Sequence, residues 1–527
     1  MREILTFQPE YAEYLRDESR KTGRADSISF PETEEEVRGI LRQVCAAGVP
    51  VTIQGGRTGL AAAAVPFGGH ILNLSRMNRV LGIRQEDGSF FVRVQPGLAL
   101  LELRKGLEKK NFDTEGWREE ERQAFVEFCR APEQFFPTDP TETSATLGGM
   151  AACNASGARS FRYGAARNYI QALRLVLTDG DVLSLRRGQC LAEGRRFSLV
   201  TEGGRRIYVE LPTYQMPETK NASGYYAAEA MDAVDFIVGS DGTLGVMTEL
   251  ELKLLPLPPV IWGVSCFFET ENQAVAFVKR LRKSGAEPAA IEYFDGGALE
   301  ILRLQKKRST AFSALPDVED WAAACVYAEI HCGEEEEALK HLYEIGRELT
   351  ASGGREEATW VARNDRDREQ LQFFRHAVPE SVNMQIDERR KVDPVITKLA
   401  ADMSVPDSCL SQVVALYREG LTRCGLESAT WGHIGNNHLH VNILPRDGED
   451  YRKGKELYRE WAKKVTAMGG AVSAEHGVGK LKADYLTVMY GKEHIREMAM
   501  AKKAFDPAFL LGRGNLFAPD VLGEEEG

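Results

Sequence analysis

Apolar positions change period as the chain enters its first ordered unit. Val37, Ile40, Leu41, Val44 and Cys45 recur at helical spacing. Thr33 with Glu36 reads as a capping box opening that helix. Gly48 suits the left-handed position after it, and Pro50 prevents continuation. "VPVTIQ" is then a short β-branched strand that runs into "GGRTGL", residues 55–60. Two later runs alternate apolar and polar positions across a turn. "VLGIRQEDGSFFVRVQPG" turns at Asp87-Gly88 and "ALRLVLTDGDVLSL" at Asp179-Gly180, so both predict antiparallel hairpins. Between them, "FFPTDPTETSATLGGMAACNASGARSFRYGAARNYIQAL" is dense in small residues. Such a segment lines something flat or packs against another backbone. "FIVGSDGTLGVMTELELKLLP" closes the region, with Pro256, Pro258 and Pro259 marking a boundary.

The texture changes after Pro259. "ENQAVAFVKRLRKSG" and "EEEEALKHLYEIGRELTASGG" carry amphipathic helical patterns, and "VYAEIHC" between them reads as a strand. The alternation predicts an α+β unit with helices on one face of a sheet. The acidic run 334–337 is a solvated helix start, and "EMAMAKKAFDPAFLLGRGNLF" reads as a helix broken at Asp506-Pro507. Two segments look inserted, near 115–134 (an amphipathic surface helix) and near 188–218.

A chain of 527 residues is long enough for two or three domains. The net charge of −12, from 66 basic and 78 acidic side chains, disfavours nucleic acid and anionic membranes as partners. No apolar run approaches the roughly 18 residues of a membrane helix. "MREILTFQPEYAEYL" has early acids and no apolar signal core, which argues against a secretory signal or a mitochondrial presequence. The nine cysteines are scattered with no CxxC pair, as expected in a reducing compartment. The expected location is the cytoplasm, with peripheral attachment at an inner membrane as the variant.

The glycine loop lacks both the P-loop pattern and the Rossmann fingerprint. Its glycines still let backbone N–H groups converge on a phosphate, and a plain inter-strand loop is the other reading. The stretch "WGHIGNNHLHVNIL", residues 431–444, puts three of the nine histidines within eight positions. With Asn436-Asn437 as a two-residue turn, His433 faces His440, and Leu439, Val441 and Ile443 alternate with His438, His440 and Asn442. One face is apolar and the other carries imidazoles. "SAEHGVGK" offers Glu475 and His476. Two histidines and a glutamate form an open set for zinc, and manganese or iron fits as well. The bland alternatives are strand histidines tied to carbonyls and a surface Glu-His pair.

Together these blocks resemble the FAD-linked 2-hydroxyacid dehydrogenases of the vanillyl-alcohol-oxidase superfamily, which have a PCMH-type FAD-binding domain. D-lactate dehydrogenases, glycolate oxidase catalytic subunits and D-2-hydroxyglutarate dehydrogenases are in this group. The likeness rests on "GGRTGL", "FFPTDPTETSATLGGMAACNASG", "YGAARNYI", "KNASGY", "GSDGTLGVMTELELKLLP", "GHIGNNHLHVNI", "SAEHGVG" and "AFDPAFLL", in family order, with the two insertions outside it. It implies an α+β protein: a two-subdomain FAD domain (1–258), an α+β cap over the flavin (259–470), and a C-terminal helical segment (471–527) returning to the FAD domain. The implied FAD contacts are Gly55, Gly56, Arg57, Thr58, Gly59, Pro140, Thr146, Gly148, Gly149, Asn154, Gly157, Tyr163, Gly164, Gly242, Gly245, Val246 and Asn515. His433, His440 and Glu475 are the implied ligands of a divalent metal, expected to be zinc. His476 is the implied base, with Arg375, Lys398 and Asn442 on the substrate.

The implied reaction is oxidation of D-lactate or a similar D-2-hydroxy acid, with hydride passing to flavin N5. The acceptor would be a quinone, a cytochrome, an electron-transfer flavoprotein or an iron–sulfur subunit. Two departures stand out. The family's Asp-Gly-Asn turn is Asn436-Asn437-His438, so His438 is a further ligand or a substrate contact. The loop's middle glycine is Arg57, whose charge is expected on the pyrophosphate. The loop has no histidine for covalent attachment, so FAD should be non-covalent. The competing readings are a transferase like the alkyl-glycerone-phosphate synthases and a silent flavoprotein scaffold or electron-relay subunit.

Overall fold

The computed structural model describes residues 4–523. The helix Glu34–Ala46 starts at Thr33, whose side chain accepts from the Glu36 N–H. The reciprocal bond goes one residue further out, from the Glu32 N–H to Glu36 Oε2 (2.7 Å). The strand Val51–Gln54 follows and pairs in parallel with His70–Asn73, which pairs in parallel with Ser27–Ser29. Beside this small sheet lies a five-stranded antiparallel one. Its order is Val80–Glu86, Ser89–Val94, Val246–Lys253, Ile170–Val176, Val182–Arg186. Val37, Ile40, Leu41 and Val44 of the helix meet Val51, Leu72, Val176 and Val246 in one core, so the helix joins the two sheets.

Asp87 and Gly88 both adopt positive φ (47° and 74°), the conformation of a tight primed hairpin turn. At the second hairpin only Gly180 does (75°), and the Leu177 N–H bonds Asp181 O at 2.9 Å. That turn is three residues long, a type I turn closed by a left-handed glycine.

The segments that look inserted are helix Glu119–Arg130 and the hairpin of Arg196–Val200 with Arg206–Glu210. Phe128 of the helix meets Phe90 edge to face at 5.4 Å. Leu199, Ile207 and Val209 of the hairpin join the main core.

Residues 260–443 supply an eight-stranded antiparallel sheet, in the order Trp360–Ala362, Val260–Phe268, Ala324–Cys332, Ala290–Asp295, Ser428–Gly432, His438–Ile443, Leu399–Ala400, with Met403–Ser404 also on His438–Ile443. Helices cover both faces rather than one. Val264, Val326, Ile291 and Leu439 point to one side, under the helices Glu271–Leu281, Glu335–Ala351, Leu410–Cys424 and Gly448–Ala467. Phe267, Phe294 and Cys325 point to the other, under the helices Gly296–Arg308 and Asp365–Val392. Side chains alternate along a strand, so the second face also receives Glu292, Tyr327, Glu329, His331, His438 and His440. Tyr327 packs against Leu371 of the helix Asp365–Val392, and Arg375 of that helix reaches Glu292.

Residues 471–517 return to the first unit. The Val51 N–H bonds Leu510 O at 2.8 Å, and the Lys480 N–H bonds Ala61 O at 3.0 Å. Helix Ala483–Phe505 is interrupted at Gly491 (φ 80°) and ends before Asp506. Buried Lys502 ties that end down through Asp506 Oδ2 (2.7 Å), Thr243 O (2.6 Å) and Leu511 O (2.9 Å).

Candidate active site

A deep cleft opens between the two small sheets. Gly55, Gly56, Arg57, Thr58 and Gly59 form one wall, and Pro140, Thr146, Gly148 and Gly149 another. Gly242 and Gly245 complete it. Two of these glycines are required by close approach. A Cβ on Gly55 would lie 2.2 Å from Thr146 Oγ1, and one on Gly148 would lie 2.5 Å from the Pro96 side chain. Among the described residues, the N–H groups of Arg57, Thr58, Gly59 and Leu60 have no backbone acceptor. Four successive free donors in a concave wall suit the oxygens of a pyrophosphate.

Arg57 does not aim its charge there. Its guanidinium bonds Glu13 and lies 4.3 Å over the Tyr14 ring. Arg57 itself adopts positive φ (58°).

The other expected cofactor residues do not line the cleft. Asn154 ends the helix Leu147–Cys153 in the left-handed conformation and accepts from the Arg167 N–H (3.0 Å). Gly157 packs against the Asp139 carbonyl, which a Cβ would approach to 1.7 Å. Tyr163 places its hydroxyl 2.8 Å from His331 Nδ1. Gly164 ends a short helix at φ 78°, Val246 lies in the inter-sheet core, and Asn515 braces Ala63 O and Asp241 O.

Beyond the cleft the imidazoles gather. The strand pairing is Trp431 with His440 and Thr430 with Val441, two residues away from a tight Asn-Asn turn. The connection is longer because residues 434–436 form a 3-10 turn and Asn437 (φ 54°) reverses the chain. A shift of two keeps every side chain on its face, whereas a shift of one would have reversed the strand. The Arg282 side chain, bonded to Ile434 O and Asn437 Oδ1, holds this connection.

His433 Nε2 lies 3.2 Å from Glu475 Oε2, and His440 Nε2 lies 3.3 Å from Glu475 Oε1. His438 Nδ1 is 3.7 Å from Glu475 Oε2. One ligand atom from each of these four residues falls within 4.8 Å of the others. The outer nitrogens are held too, since His433 Nδ1 meets Glu292 Oε1 at 2.7 Å and His440 Nδ1 meets Ala401 O at 3.4 Å. Carboxylate or carbonyl support behind an imidazole is what a metal ligand normally has.

Charge follows burial and neighbours. Burial, with the His440 ring and the Lys220 ammonium beside it, pushes His438 well below the ordinary imidazole range, and burial lowers His440 against the pull of Glu475. Both are neutral and carry a lone pair. His433 goes the other way: Glu292 and Glu475 outweigh burial and raise it to about 9. Burial would raise Glu475, but His433 and Lys220 hold it well below the usual carboxylate range.

His476 is half-buried, lines the cleft, and stacks on His440 with centroids 5.2 Å apart. Its Nε2 is 3.4 Å from Glu475 Oε1 and its Nδ1 is 3.4 Å from Asp402 Oδ2. Arg375 enters from the helix Asp365–Val392, 3.6 Å from Glu292 Oε2 and 5.0 Å over the Tyr327 ring. Lys398 lies 5.8 Å over the Trp431 ring, and burial with the charge of Arg20 brings it down to about 8. Asn442 shares the imidazole face, and its buried Oδ1 has no partner among the described residues.

Three site residues escaped the sequence reading. Lys220 Nζ sits 2.6 Å from Glu475 Oε2. Glu292 backs His433, and Asp402 accepts from Lys482 Nζ (2.5 Å) and Ser473 Oγ (2.8 Å). The available signal was an acid in an otherwise apolar strand, "AIEYFD", and one beside "MSVP".

A glycine-walled cleft abuts a polar sheet face, and the chain belongs to the FAD-linked oxidases. Residues 25–115 and 121–186 match the FAD binding domain of that family, and residues 257–516 match the FAD linked oxidases, C-terminal domain. Most of the first apparent insertion therefore lies inside the matched FAD-binding domain, while residues 187–256 lie outside both matches. The chain is 25% identical to a D-lactate dehydrogenase of Anaerostipes hadrus over 511 residues, 96% of this chain and 92% of that protein. It is 25% identical to the glycolate oxidase subunit GlcD of Bacillus subtilis over 503 residues, 94% of this chain and 90% of that protein. A solved 4-ethylphenol oxidase from Gulosibacter chungangensis shares the fold, with a TM-score of 0.66 over 98% of this chain and 95% of that one, at 16% identity. No helix among the described residues is long and apolar enough to cross a membrane.

Proposed function

We propose that this protein oxidises a 2-hydroxy acid, D-lactate or a similar D-2-hydroxy acid, to the 2-oxo acid. One observation carries the reading. Glu475 and His476 are adjacent in sequence, and both line the cleft while touching the imidazole cluster. Redox cofactor and substrate would therefore meet at one point. The relatives named above support the substrate class.

In this reading residues 1–258 hold FAD without a covalent link, 259–470 cap the substrate, and 471–527 carry the base back to the flavin. The free amides of residues 57–60 take the pyrophosphate. His433, His440 and Glu475 would hold a divalent metal, with zinc suited to an imidazole–carboxylate set. When bound, the flavin takes up the hydride and the metal acidifies the substrate hydroxyl.

The chain's own groups do the rest. Asp402 is held well below the usual range because the His476 and His438 imidazoles and the Lys482 ammonium beside it outweigh its burial, so it stays ionised. It therefore keeps the proton of His476 on Nδ1 and leaves Nε2 as the base towards the hydroxyl. Arg375 presents a planar guanidinium to the carboxylate. Lys398, close to losing its charge, adds a second donor, and Asn442 Oδ1 offers an acceptor on the same face.

The test is an anaerobic screen of D- and L-2-hydroxy acids for loss of flavin absorbance, repeated after chelation. Bleaching by one enantiomer that chelation abolishes is expected. A flavin that no hydroxy acid reduces would overturn the proposal and favour the transferase chemistry of the same fold.

A further inference from the structure

His438 stands where the resembling family has an asparagine, and its surroundings are not those of a core histidine. The side chain is fully buried. Its ring centroid is 4.4 Å from that of His440 and 5.4 Å from that of His433. Neither ring nitrogen has a hydrogen-bond partner among the described residues. Nε2 is 2.9 Å from Asp402 Oδ1 but out of line for a hydrogen bond, and Nδ1 faces Glu475 Oε2 at 3.7 Å. A buried polar group left unpaired costs about 1–3 kcal/mol. A core position would avoid that cost with an apolar side chain.

The three histidines share one design. Each has an outer nitrogen beside a protein oxygen: Glu292 for His433, Ala401 O for His440, Asp402 for His438. Each turns its inner nitrogen to the single carboxylate of Glu475. Convergence of three inner nitrogens on one carboxylate places a cation-sized point among them. We propose that His438 is a fourth protein ligand, so that this chain binds its divalent metal through three imidazoles and Glu475. The inference rests on the metal reading given above and deepens it. A fourth ligand leaves one position fewer for water or substrate, so a bound hydroxy acid would have to raise the coordination number to five. It also shifts preference towards nitrogen-seeking ions such as zinc and away from manganese.

Zinc-edge X-ray absorption on the full-length, FAD-containing protein counts the imidazoles directly. Three are expected for the natural protein and two for His438→Asn. Competition with a chromogenic chelator should show zinc held at least about tenfold more weakly in His438→Asn and His438→Gln, no less than the loss usual for an outer-shell partner. Flavin content and the unfolding midpoint report whether each variant folds. If neither does, the imidazole count of the natural protein decides alone. Zinc held through two imidazoles in the natural protein, or unchanged affinity in two folded variants, overturns the fourth ligand and leaves the metal reading standing. A natural protein that takes up no zinc or other divalent ion overturns both.

Discussion

Replacing Asp241 by asparagine should make the protein more stable above pH 6 and flatten its response to pH. Asp241 lines the cleft, is 6% exposed, and holds the loop after His476 through bonds from the Val478 and Gly479 N–H groups to Oδ2 (2.9 and 2.8 Å). Burial raises its carboxyl to about 6, and the two N–H groups with the charges of Lys482 and Lys480 offset only part of that. In the unfolded chain the value is about 3.9. The folded value is the higher one, so folding favours the protonated form. That contribution is complete below about pH 3.9, is lost as pH rises through about 6, and is absent above.

The full swing is about 3 kcal/mol, from two units at 1.36 kcal/mol each, and about 1.4 kcal/mol of it falls between pH 5 and 8. Asparagine keeps both N–H bonds, because both go to one oxygen, and it tolerates the φ of 51° at this position. The variant should gain up to about 3 kcal/mol at pH 8, trimmed by the support that Lys480 and Lys482 lose. Urea unfolding at saturating FAD, followed by tryptophan fluorescence at pH 5 and pH 8, measures it. A variant as pH-sensitive as the natural protein, or less stable at pH 8, would refute the reasoning.

Glu292→Gln should weaken zinc binding by about 10–100-fold through loss of the carboxylate behind His433; chelator competition with flavin content as control reads this, and unchanged affinity counts against the metal site. Gly55→Ala forces a Cβ to within 2.2 Å of Thr146 Oγ1. At about 1–3 kcal/mol for overpacking, FAD should bind roughly 5–160-fold more weakly, measured by flavin fluorescence after gel filtration. Arg375→Met should raise the KM for the hydroxy acid by about 10–100-fold, the worth of a charged hydrogen bond, with FAD and zinc retained. An unaltered KM would assign Arg375 to bracing Glu292 alone.

Much of this molecule is local and was open to sequence reasoning. The helix after Thr33, the strand into the glycine loop, and the alternation of Leu439, Val441 and Ile443 with imidazoles follow from periods and caps. These are short-range rules, and the sequence by itself determined them. The family likeness rested on the same blocks, since glycines such as Gly55 and Gly148 stand where another backbone or ring comes close.

Tertiary structure alone decided the rest. Glu292, Asp402 and Lys220 come from distant segments, and nothing in their neighbours along the chain sets their distance to His433, His476 or Glu475. The length of the 434–436 connection depends on Arg282 reaching it from another helix end. The direction of Arg57 depends on Tyr14 and Glu13. Only the fold buries His438 beside Glu475 and Asp402. Periodicity assigns a side chain to a face; only packing decides what that face meets and whether water is there to satisfy it.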